Sequence, residues 1–444
     1  MGTALIFSYS KVNRISYNVL LGALEKWNII DSELDIKIVS PKEITNTILS
    51  LKKKGYEKII LAFSFMTTQV FEIIHLISSA RMVDPSIILI AGGPHPSGDP
   101  IGTLLLGFDF VIIGEGEITF PRIIEKIKND EDPTKERGLF FYNGNKFKFT
   151  GKQKEIDLNE YPPFSLKFKK FNPIEITRGC PFACFYCQTS YMFSKKVRHR
   201  SIENILRYIS IMNNLGLRDV RFISPNAFSY GSINGRKPNI RAIEELLEGI
   251  RGIIGPKGRI FFGTFPSEVR PEFVSEDILE VIKKYVNNVN LIIGAQSGSQ
   301  RVLDIINRGH TIEDIYKAVS LSTKYNFTPN VDFIFGLPGE TEADINNTLK
   351  VMKDLIKMGA RIHAHTFLPL VGTPFSKKPP GYINKKIKRI LGKLALEGKL
   401  YGEWASQELE ALKIHSYYAL RNRLLQEFQK YKRLLKNPIF SFFA

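Results

Sequence analysis

Cysteine is scarce in this chain of 444 residues: the three present are Cys180, Cys184 and Cys187. An odd number of thiols within eight positions cannot build a disulfide framework, which favours a reducing compartment. Long apolar runs are missing too, since "KIILAFSF" and "SIILIAGG" are far shorter than the roughly 20 residues of a membrane span. The first residues show no basic segment followed by a cleavage site. We therefore expect a cytoplasmic protein without a membrane span.

Acidic residues are sparse at the C-terminal end. The formal net charge is +18, and residues 376–444 hold 15 Lys and Arg against 5 Glu. This asymmetry predicts an anionic partner such as a nucleic acid or an anionic substrate. A solvated lysine-rich surface is the alternative.

The first 130 residues alternate between short apolar runs and amphipathic segments, as βα units do. Five runs are predicted to be strands buried on both faces: "TALIFSY", "LDIKIVS", "KIILAFS", "IILIAGG" and "FVIIGEG". They predict a doubly wound parallel sheet. The segments "FSFMTTQ", "AGGPHPSGDP" and "IGEGE" follow three of these strands, at the edge where such sheets bind ligands. Glycines also end strands for local reasons, so this position alone leaves ligand binding open.

The remaining chain divides into three parts. "GLFFYNGNKFKFTG" predicts a hairpin around Asn143-Gly144, and a proline-containing linker follows it. From residue 171 the βα alternation resumes and predicts about six parallel strands, curled into a partial (β/α)6 barrel of the TIM type. Beyond Pro380 the pattern is helical and basic. The predicted parts are a Rossmann-like α/β domain (1–135), a hairpin and linker (136–170), the barrel (171–380) and a C-terminal helical extension (381–444).

The cysteines stand in a C-x-x-x-C-x-x-C pattern directly after a predicted strand. Three thiolates suit a four-iron cluster in which one iron keeps an open position. A closed zinc site needs a fourth ligand, for which His199 is the candidate, and three buried thiols are a further alternative.

This motif, with aromatic residues between its last two cysteines, resembles the signature of radical S-adenosylmethionine (SAM) enzymes. The resemblance implies a [4Fe-4S] cluster held by Cys180, Cys184 and Cys187, whose open iron binds SAM. One electron then cleaves SAM to a 5′-deoxyadenosyl radical. It also implies that Tyr186 lies near the adenine.

Four further segments resemble the methylthiotransferase branch of this superfamily: "FISPNAFSYGS", "GAQSGSQRVLDIINRGHT", "DFIFGLPGETEAD" and "LPLVGTPFS". By that resemblance, four polar residues face SAM, namely Asn226, Gln296, Ser297 and Ser299. Gly336 and Gly339 of the "GLPGE" turn would lie beside the adenine. Each polar residue could instead serve as a turn or capping residue.

The N-terminal part departs from that branch, because it lacks the three further cysteines that hold a second cluster. It resembles instead the cobalamin-binding domain attached to many radical SAM enzymes, through "AGGPHPSGDP" and "FDFVIIGEGEITF". The residues that would face the corrin are Ser64, Thr67, Gly92, Gly93, Gly114 and Gly116. The D-x-H-x-x-G motif is missing, which implies cobalt without a lower histidine ligand; His95 is either a cofactor contact or a structural residue.

Together the resemblances predict a cobalamin-dependent radical SAM methyltransferase that methylates an unactivated carbon. Two alternatives remain: a radical SAM enzyme of rearrangement or cyclisation, and a tRNA-modifying, methylthiotransferase-like RNA-binding protein. An external one-electron donor is expected as a partner, and tRNA or another anionic macromolecule is a candidate substrate. His363 and His365 lie on one face of a predicted strand, with either a catalytic or a packing role.

Overall fold

The computed structural model describes residues 2–435, and its N-terminal part is an α/β domain built on one sheet. The parallel strands are β1 (Thr3–Ser8), β2 (Leu34–Val39), β3 (Lys58–Ser64), β4 (Ile88–Gly92) and β5 (Phe110–Ile112). The helices are α1 (Arg14–Lys26), α2 (Ile44–Lys53), α3 (Val70–Val83), α4 (Pro94–Gly98), α5 (Pro100–Leu105) and α6 (Thr119–Lys128). The strand order β2-β1-β3-β4-β5 is doubly wound, and apolar clusters cover both faces of the sheet.

The predicted hairpin extends this sheet. β6 (Leu139–Tyr142) pairs antiparallel with β5, and β7 (Phe147–Phe149) pairs antiparallel with β6. The sheet therefore has seven strands and gains an antiparallel edge.

The central part contains the predicted partial barrel, whose wall is formed by two parallel sheets, and a short antiparallel pair of strands, β9 and β10. Its strands are β8 (Ile174–Glu175), β9 (Thr177–Arg178), β10 (Arg198–His199), β11 (Asp219–Ile223), β12 (Arg259–Phe261), β13 (Asn290–Gln296), β14 (Thr328–Phe335) and β15 (Arg361–Thr366). Its helices are α7 (Thr189–Phe193), α8 (Ile202–Asn214), α9 (Ile240–Ile254), α10 (Glu276–Tyr285), α11 (Gln300–Ile305), α12 (Ile312–Lys324) and α13 (Glu342–Lys357).

Six of these strands, β8, β11, β12, β13, β14 and β15, form the wall of the partial barrel. One sheet has the order β12-β11-β8 and the other begins β13-β14-β15. A parallel bridge between Val269 and Ile293 and a bond from Ile292 N to Gly263 O join the two sheets.

The C-terminal part consists of α14 (Lys385–Leu396), β16 (Leu400–Tyr401) and α15 (Trp404–Leu435). The sequence pattern did not predict β16, which adds a short parallel strand to β15. Helix α15 packs on the rest of the protein, since Ala411, Ile414 and Tyr417 are buried. The Tyr417 hydroxyl donates to Asp99 Oδ2 (2.8 Å), so the helix contacts the N-terminal domain. Within residues 2–435, no helix combines the length and the apolar character that crossing a bilayer requires.

Candidate functional site

The three cysteines lie in the loop between β9 and α7 and line one cavity of about 250 Å³. Gly179 opens this loop with φ +86°, and a Cβ there would lie 2.1 Å from Lys196 O, so the turn requires glycine. Tyr186 lines the same cavity, and its predicted position beside the adenine stays a prediction. Ser224, Pro225, Glu268, Arg270 and Arg308 complete much of the wall.

Two buried guanidinium groups lie against Cys184. Arg308 Nη1 is 3.6 Å and Arg270 Nη1 is 3.8 Å from its Sγ. Burial alone would lower the pKa of Arg308, but the neighbouring Tyr186 and Cys184 groups raise it. Both cations therefore favour negative charge on the cysteine sulfurs. Burial raises the pKa of the Cys187 thiol, and a bond to Thr189 Oγ1 (3.4 Å) acts in the opposite direction.

His199 does not join the cysteines, because both of its ring nitrogens are engaged elsewhere. Nδ1 lies 2.9 Å from Thr177 Oγ1, and Nε2 lies 2.9 Å from Ser232 O. The Cys₃His zinc alternative is therefore unsupported. A three-thiolate set with an open side and two flanking cations fits an anionic iron–sulfur cluster.

The polar residues predicted to face SAM have different surroundings. Asn226 Oδ1 accepts from Arg270 N (3.3 Å), and its buried Nδ2 has no partner among the described residues, so it can bond with a ligand. Ser299 Oγ donates to Asp344 Oδ1 (2.6 Å), and Ser297 Oγ lies 3.4 Å from Thr348 Oγ1. These two hydroxyls hold the start of α13 in place. Their contact with SAM stays a prediction.

In the "GLPGE" turn, the backbone of Gly336 lies close to the backbone of Tyr382. Gly336 has φ +73°, and a Cβ there would lie 2.6 Å from Tyr382 N; Gly339 has φ +83°. Gly336 N donates to Glu340 Oε2 (2.8 Å), and burial raises the pKa of Glu340 to about 7. Gln296, at the end of β13, is buried with φ +73°. The contacts of Gln296, Gly336 and Gly339 with SAM stay predictions.

A second cavity, of about 260 Å³, lies between the N-terminal domain and the barrel. Five of the six residues predicted to face the corrin line it, namely Ser64, Gly92, Gly93, Gly114 and Gly116. Most of the remaining wall is apolar, with Ile90, Ile112 and Phe120 on one side and Met192 and Phe193 on the other. Glycines and an apolar wall fit a flat, bulky group such as a corrin.

Thr67 does not line this cavity. It is buried behind it, with Oγ1 3.3 Å from His95 Nδ1. His95 packs against Phe65 and Tyr417, and burial lowers its pKa to about 4. His95 is therefore a neutral packing residue, and a corrin contact by Thr67 is unsupported by its position.

The sequence pattern missed the charged residues that join the two domains. Arg178 Nη2 donates to Glu117 Oε1 (2.7 Å) and to Glu175 Oε2 (2.7 Å), and Arg198 pairs with Glu115. Glu115 and Glu117 belong to the "GEGE" segment, of which only the two glycines are predicted to face the corrin. The sequence did offer a signal for these ion pairs, because two acidic residues directly follow a strand that was predicted to be buried.

Comparison with known proteins assigns both domains. Residues 174–352 match the Radical SAM superfamily, and residues 6–124 match the B12 binding domain. An uncharacterized methyltransferase of Pyrococcus horikoshii is 22% identical over 76% of this chain and 73% of its own length. The tRNA-2-methylthio-N(6)-dimethylallyladenosine synthase of Thermodesulfovibrio yellowstonii is 27% identical over 51% of this chain and 50% of its own length.

A solved structure shares the fold over most of the chain. The radical S-adenosylmethionine methyltransferase TsrM from Kitasatospora setae, with cobalamin and a [4Fe-4S] cluster bound, superposes with a TM-score of 0.67. It is 13% identical, and the match covers 86% of this chain and 78% of TsrM. The protein is therefore a radical SAM enzyme, in which a radical SAM domain at residues 174–352 follows a B12 binding domain at residues 6–124.

Proposed function

We propose that this protein is a cobalamin-dependent radical SAM methyltransferase that methylates an unactivated carbon of its substrate. The observation that carries the proposal is the position of the segment from Arg178 to Phe193, which lines both cavities. Cys180, Cys184 and Cys187 face one cavity, while Arg178, Met192 and Phe193 face the other. A cluster and a corrin bound in these cavities would therefore be neighbours.

Each group has a defined set of candidate residues. Cys180, Cys184 and Cys187 would hold the cluster, and Ser64 with the four glycines would border the corrin. When bound, the cluster and SAM supply the radical that removes hydrogen from carbon, and methylcobalamin supplies the methyl group.

The residues of the chain itself set the charge of the cluster cavity. Arg270 and Arg308 offset the negative charge of a thiolate at Cys184. The low dielectric of a buried site strengthens this attraction. Burial also raises the pKa of Tyr186, so its hydroxyl stays protonated and neutral beside the cysteines. The mostly apolar lining of the second cavity offers few partners to water, which would favour a water-poor space around a bound corrin.

The cluster assignment is tested with Cys184→Ala in anaerobically purified protein. We expect this variant to lose the four-iron absorption and paramagnetic signals and all SAM cleavage. Lys195→Ala, an exposed change in the segment between α7 and β10, is the control and should retain both. A four-iron spectrum that persists in Cys184→Ala would refute the assignment.

The methyl transfer itself is tested by following the label from methyl-labelled SAM, with corrinoid, iron and sulfide measured in the same sample. Bound corrinoid and labelled product support the proposal. Deoxyadenosine formed with substrate but without a methylated product would favour rearrangement or cyclisation instead.

The substrate class is a separate part of the proposal. The similarity to a tRNA-modifying synthase over half the chain, together with the basic C-terminal region, supports tRNA or another anionic macromolecule. Binding of RNA through this region should weaken steeply as salt is added. A flat salt response would remove RNA from consideration. The external one-electron donor expected for the cluster likewise stays a prediction.

A further inference from the structure

Arg221 of β11 projects into the interior of the partial barrel. Its neighbours Val220 and Phe222 pack in the apolar cluster beneath the helices, and Ile260 of the paired strand β12 lies in the same cluster. Successive side chains of a strand point to opposite faces, so Arg221 and Ile223 face the interior. Arg221 is exposed there. The inner wall of the barrel therefore carries an exposed cation.

The position of Arg221 relates it to both cavities. Ile223, two residues further along β11, lines the cavity between the domains, and Ser224 and Pro225 line the cysteine cavity. Two residues of a strand span roughly 7 Å, a distance that the long side chain of an arginine can cross. Arg221 Nη1 lies 3.5 Å from Phe265 O, and Phe265 also lines the cysteine cavity. The guanidinium group therefore lies near the space in which, on the proposed function, the substrate reacts.

An aromatic ring holds this guanidinium group in place. Its Cζ lies 3.9 Å from the centroid of the Phe261 ring, on the strand paired with β11. A cation over an aromatic face is attracted by the ring, and a stacked guanidinium group keeps its N–H groups in one plane. The Arg221 side chain is therefore oriented before a ligand arrives.

Arg221 lacks a counterion within residues 2–435. Asp219, the carboxylate of its own strand, is engaged by Arg259, whose Nε donates to Oδ1 (2.7 Å) and whose Nη2 donates to Oδ2. Asp332, on β14, lies 2.8 Å from His363 Nδ1 on β15. In this part of the chain, Arg221 makes a single long hydrogen bond and no ion pair. Most of its N–H groups are therefore free to bind an anion.

Phe265 presents an aromatic ring beside this cation. It lines the cysteine cavity, and 68% of the residue is exposed. Single exposed apolar residues are common on protein surfaces, but this one lies at the border of a cavity and next to an arginine. Its ring is therefore available to a flat group of a ligand.

The amino-acid end of SAM has other cations to contact. Arg270 and Arg308 lie beside Cys184, where SAM would bind the cluster. Among its contacts within residues 2–435, Arg221 has none with a cysteine. The anion that Arg221 suits is therefore expected to belong to another molecule.

We propose that Arg221 and Phe265 form a recognition site for a substrate that carries a phosphate or carboxylate group beside a planar ring. The N–H groups of Arg221 bind the oxyanion, because a planar guanidinium group matches the spacing of its oxygens. The ring of the substrate stacks on Phe265. A nucleotide of RNA and a small aromatic acid share this chemistry. The inference rests on the proposed function in identifying the ligand as the substrate, and the two residues and their contacts define the site.

Titrations of the full-length protein, followed by ligand-observed NMR, test the oxyanion. The probes are guanosine 5′-monophosphate and indole-3-acetate, each compared with its neutral counterpart, guanosine or indole-3-acetamide. We expect at least one charged probe to bind about tenfold more tightly than its counterpart, and Arg221→Gln to abolish this preference. Arg207→Gln is the matched control and should keep the preference, since Arg207 is exposed and lies over Tyr208 on the outer helix α8.

The two charged probes distinguish the sources of the oxyanion. A preference for the monophosphate would support a nucleotide, and a preference for indole-3-acetate would support a small aromatic acid. Wild-type protein without any preference would overturn the proposal, and so would an equal preference in Arg221→Gln.

Phe265→Ala tests the ring. We expect the charged probe and its neutral counterpart both to bind about fivefold more weakly or worse, because stacking contributes to each. The ratio of the two affinities should stay, which separates this effect from that of Arg221→Gln. Phe149→Ala on β7, where 46% of the residue is exposed, is the matched control. Both targeted residues are exposed, so the variants should fold, and unchanged affinities in Phe265→Ala would overturn the proposal.

Two other ligands are tested with the same variants. Arg221→Gln should bind S-adenosylhomocysteine and hydroxocobalamin as tightly as wild type does. Loss of either affinity would assign Arg221 to SAM or to the corrinoid and would overturn the proposal. The titrations involve no turnover, so their failure would leave the proposed methyl transfer standing. A charge preference that depends on Arg221, in a protein that transfers no methyl group, would refute the proposed function alone.

Discussion

Arg178 and Glu117 form a buried ion pair across the boundary between the two domains, with Nη2 2.7 Å from Oε1. Arg178 ends the strand before the cysteine loop, and Glu117 follows the strand end that borders the other cavity. One guanidinium group thus fixes the position of the cysteine loop relative to the B12 binding domain.

We expect Arg178→Met to destabilise the protein by about 3–5 kcal/mol, because Glu117 and Glu175 would stay buried without their cation. Urea unfolding followed by circular dichroism measures the change. Arg241→Met is the control, since its exposed pair with Glu245 contributes little. Equal effects of the two changes would contradict the role assigned to Arg178.

The pKa of Glu115 predicts a loss of stability in acid. Burial alone would raise this pKa, but the bond from Arg198 and the charge of Arg178 lower it below its usual value. Since the pKa is lower in the folded state, the stabilisation is full above the unfolded pKa and is lost as pH falls through the folded pKa. Glu115→Gln should therefore be less stable than wild type at pH 7, and the difference in urea midpoint should shrink below about pH 4. A constant difference from pH 7 to pH 3 would contradict this assignment.

The raised pKa of Glu340 predicts that the stability of the protein depends on pH in the opposite direction. Burial raises its pKa to about 7, so its stabilising contribution is present at low pH and is lost as pH rises through 7. Glu340→Gln keeps an oxygen for Gly336 N and removes the charge. We expect it to be more stable than wild type above pH 8, by up to about 3 kcal/mol, and equal to wild type near pH 5. Thermal unfolding across this pH range measures the difference, and a variant less stable at high pH would disprove the prediction.

Substitutions at Gly92 test whether the cavity between the domains holds the corrin. Its φ is ordinary, and the nearest atom to an added Cβ is Ile112 Cβ at 4.0 Å, so a side chain is accommodated without backbone strain. Gly92→Leu should fill part of the 260 Å³ cavity and reduce corrinoid retention at least about tenfold, while Gly92→Ala retains it. Absorbance after desalting measures bound corrinoid. Full retention by a folded Gly92→Leu would place the corrin elsewhere.

The sequence by itself determined the strands of the N-terminal sheet and the clustering of the three cysteines. Alternating apolar runs predicted β1 to β5, and the capping boxes at Thr311 and Thr341 form with Asp314 and Asp344 as their spacing requires. These features depend on neighbours a few residues apart, so local pattern is sufficient. The C-x-x-x-C-x-x-C spacing likewise places three sulfurs in one loop.

Only the tertiary structure decided which side chains meet across the chain. Thr67 is a small polar residue in a loop that follows a strand, where a cofactor contact would be expected. In the structure, helix α15 and His95 enclose it. Arg178 meets Glu117 and Gln407 meets His365 across 61 and 42 positions. Such contacts depend on how whole elements pack, because burial makes an unpaired charge or donor costly wherever its partner lies in the sequence.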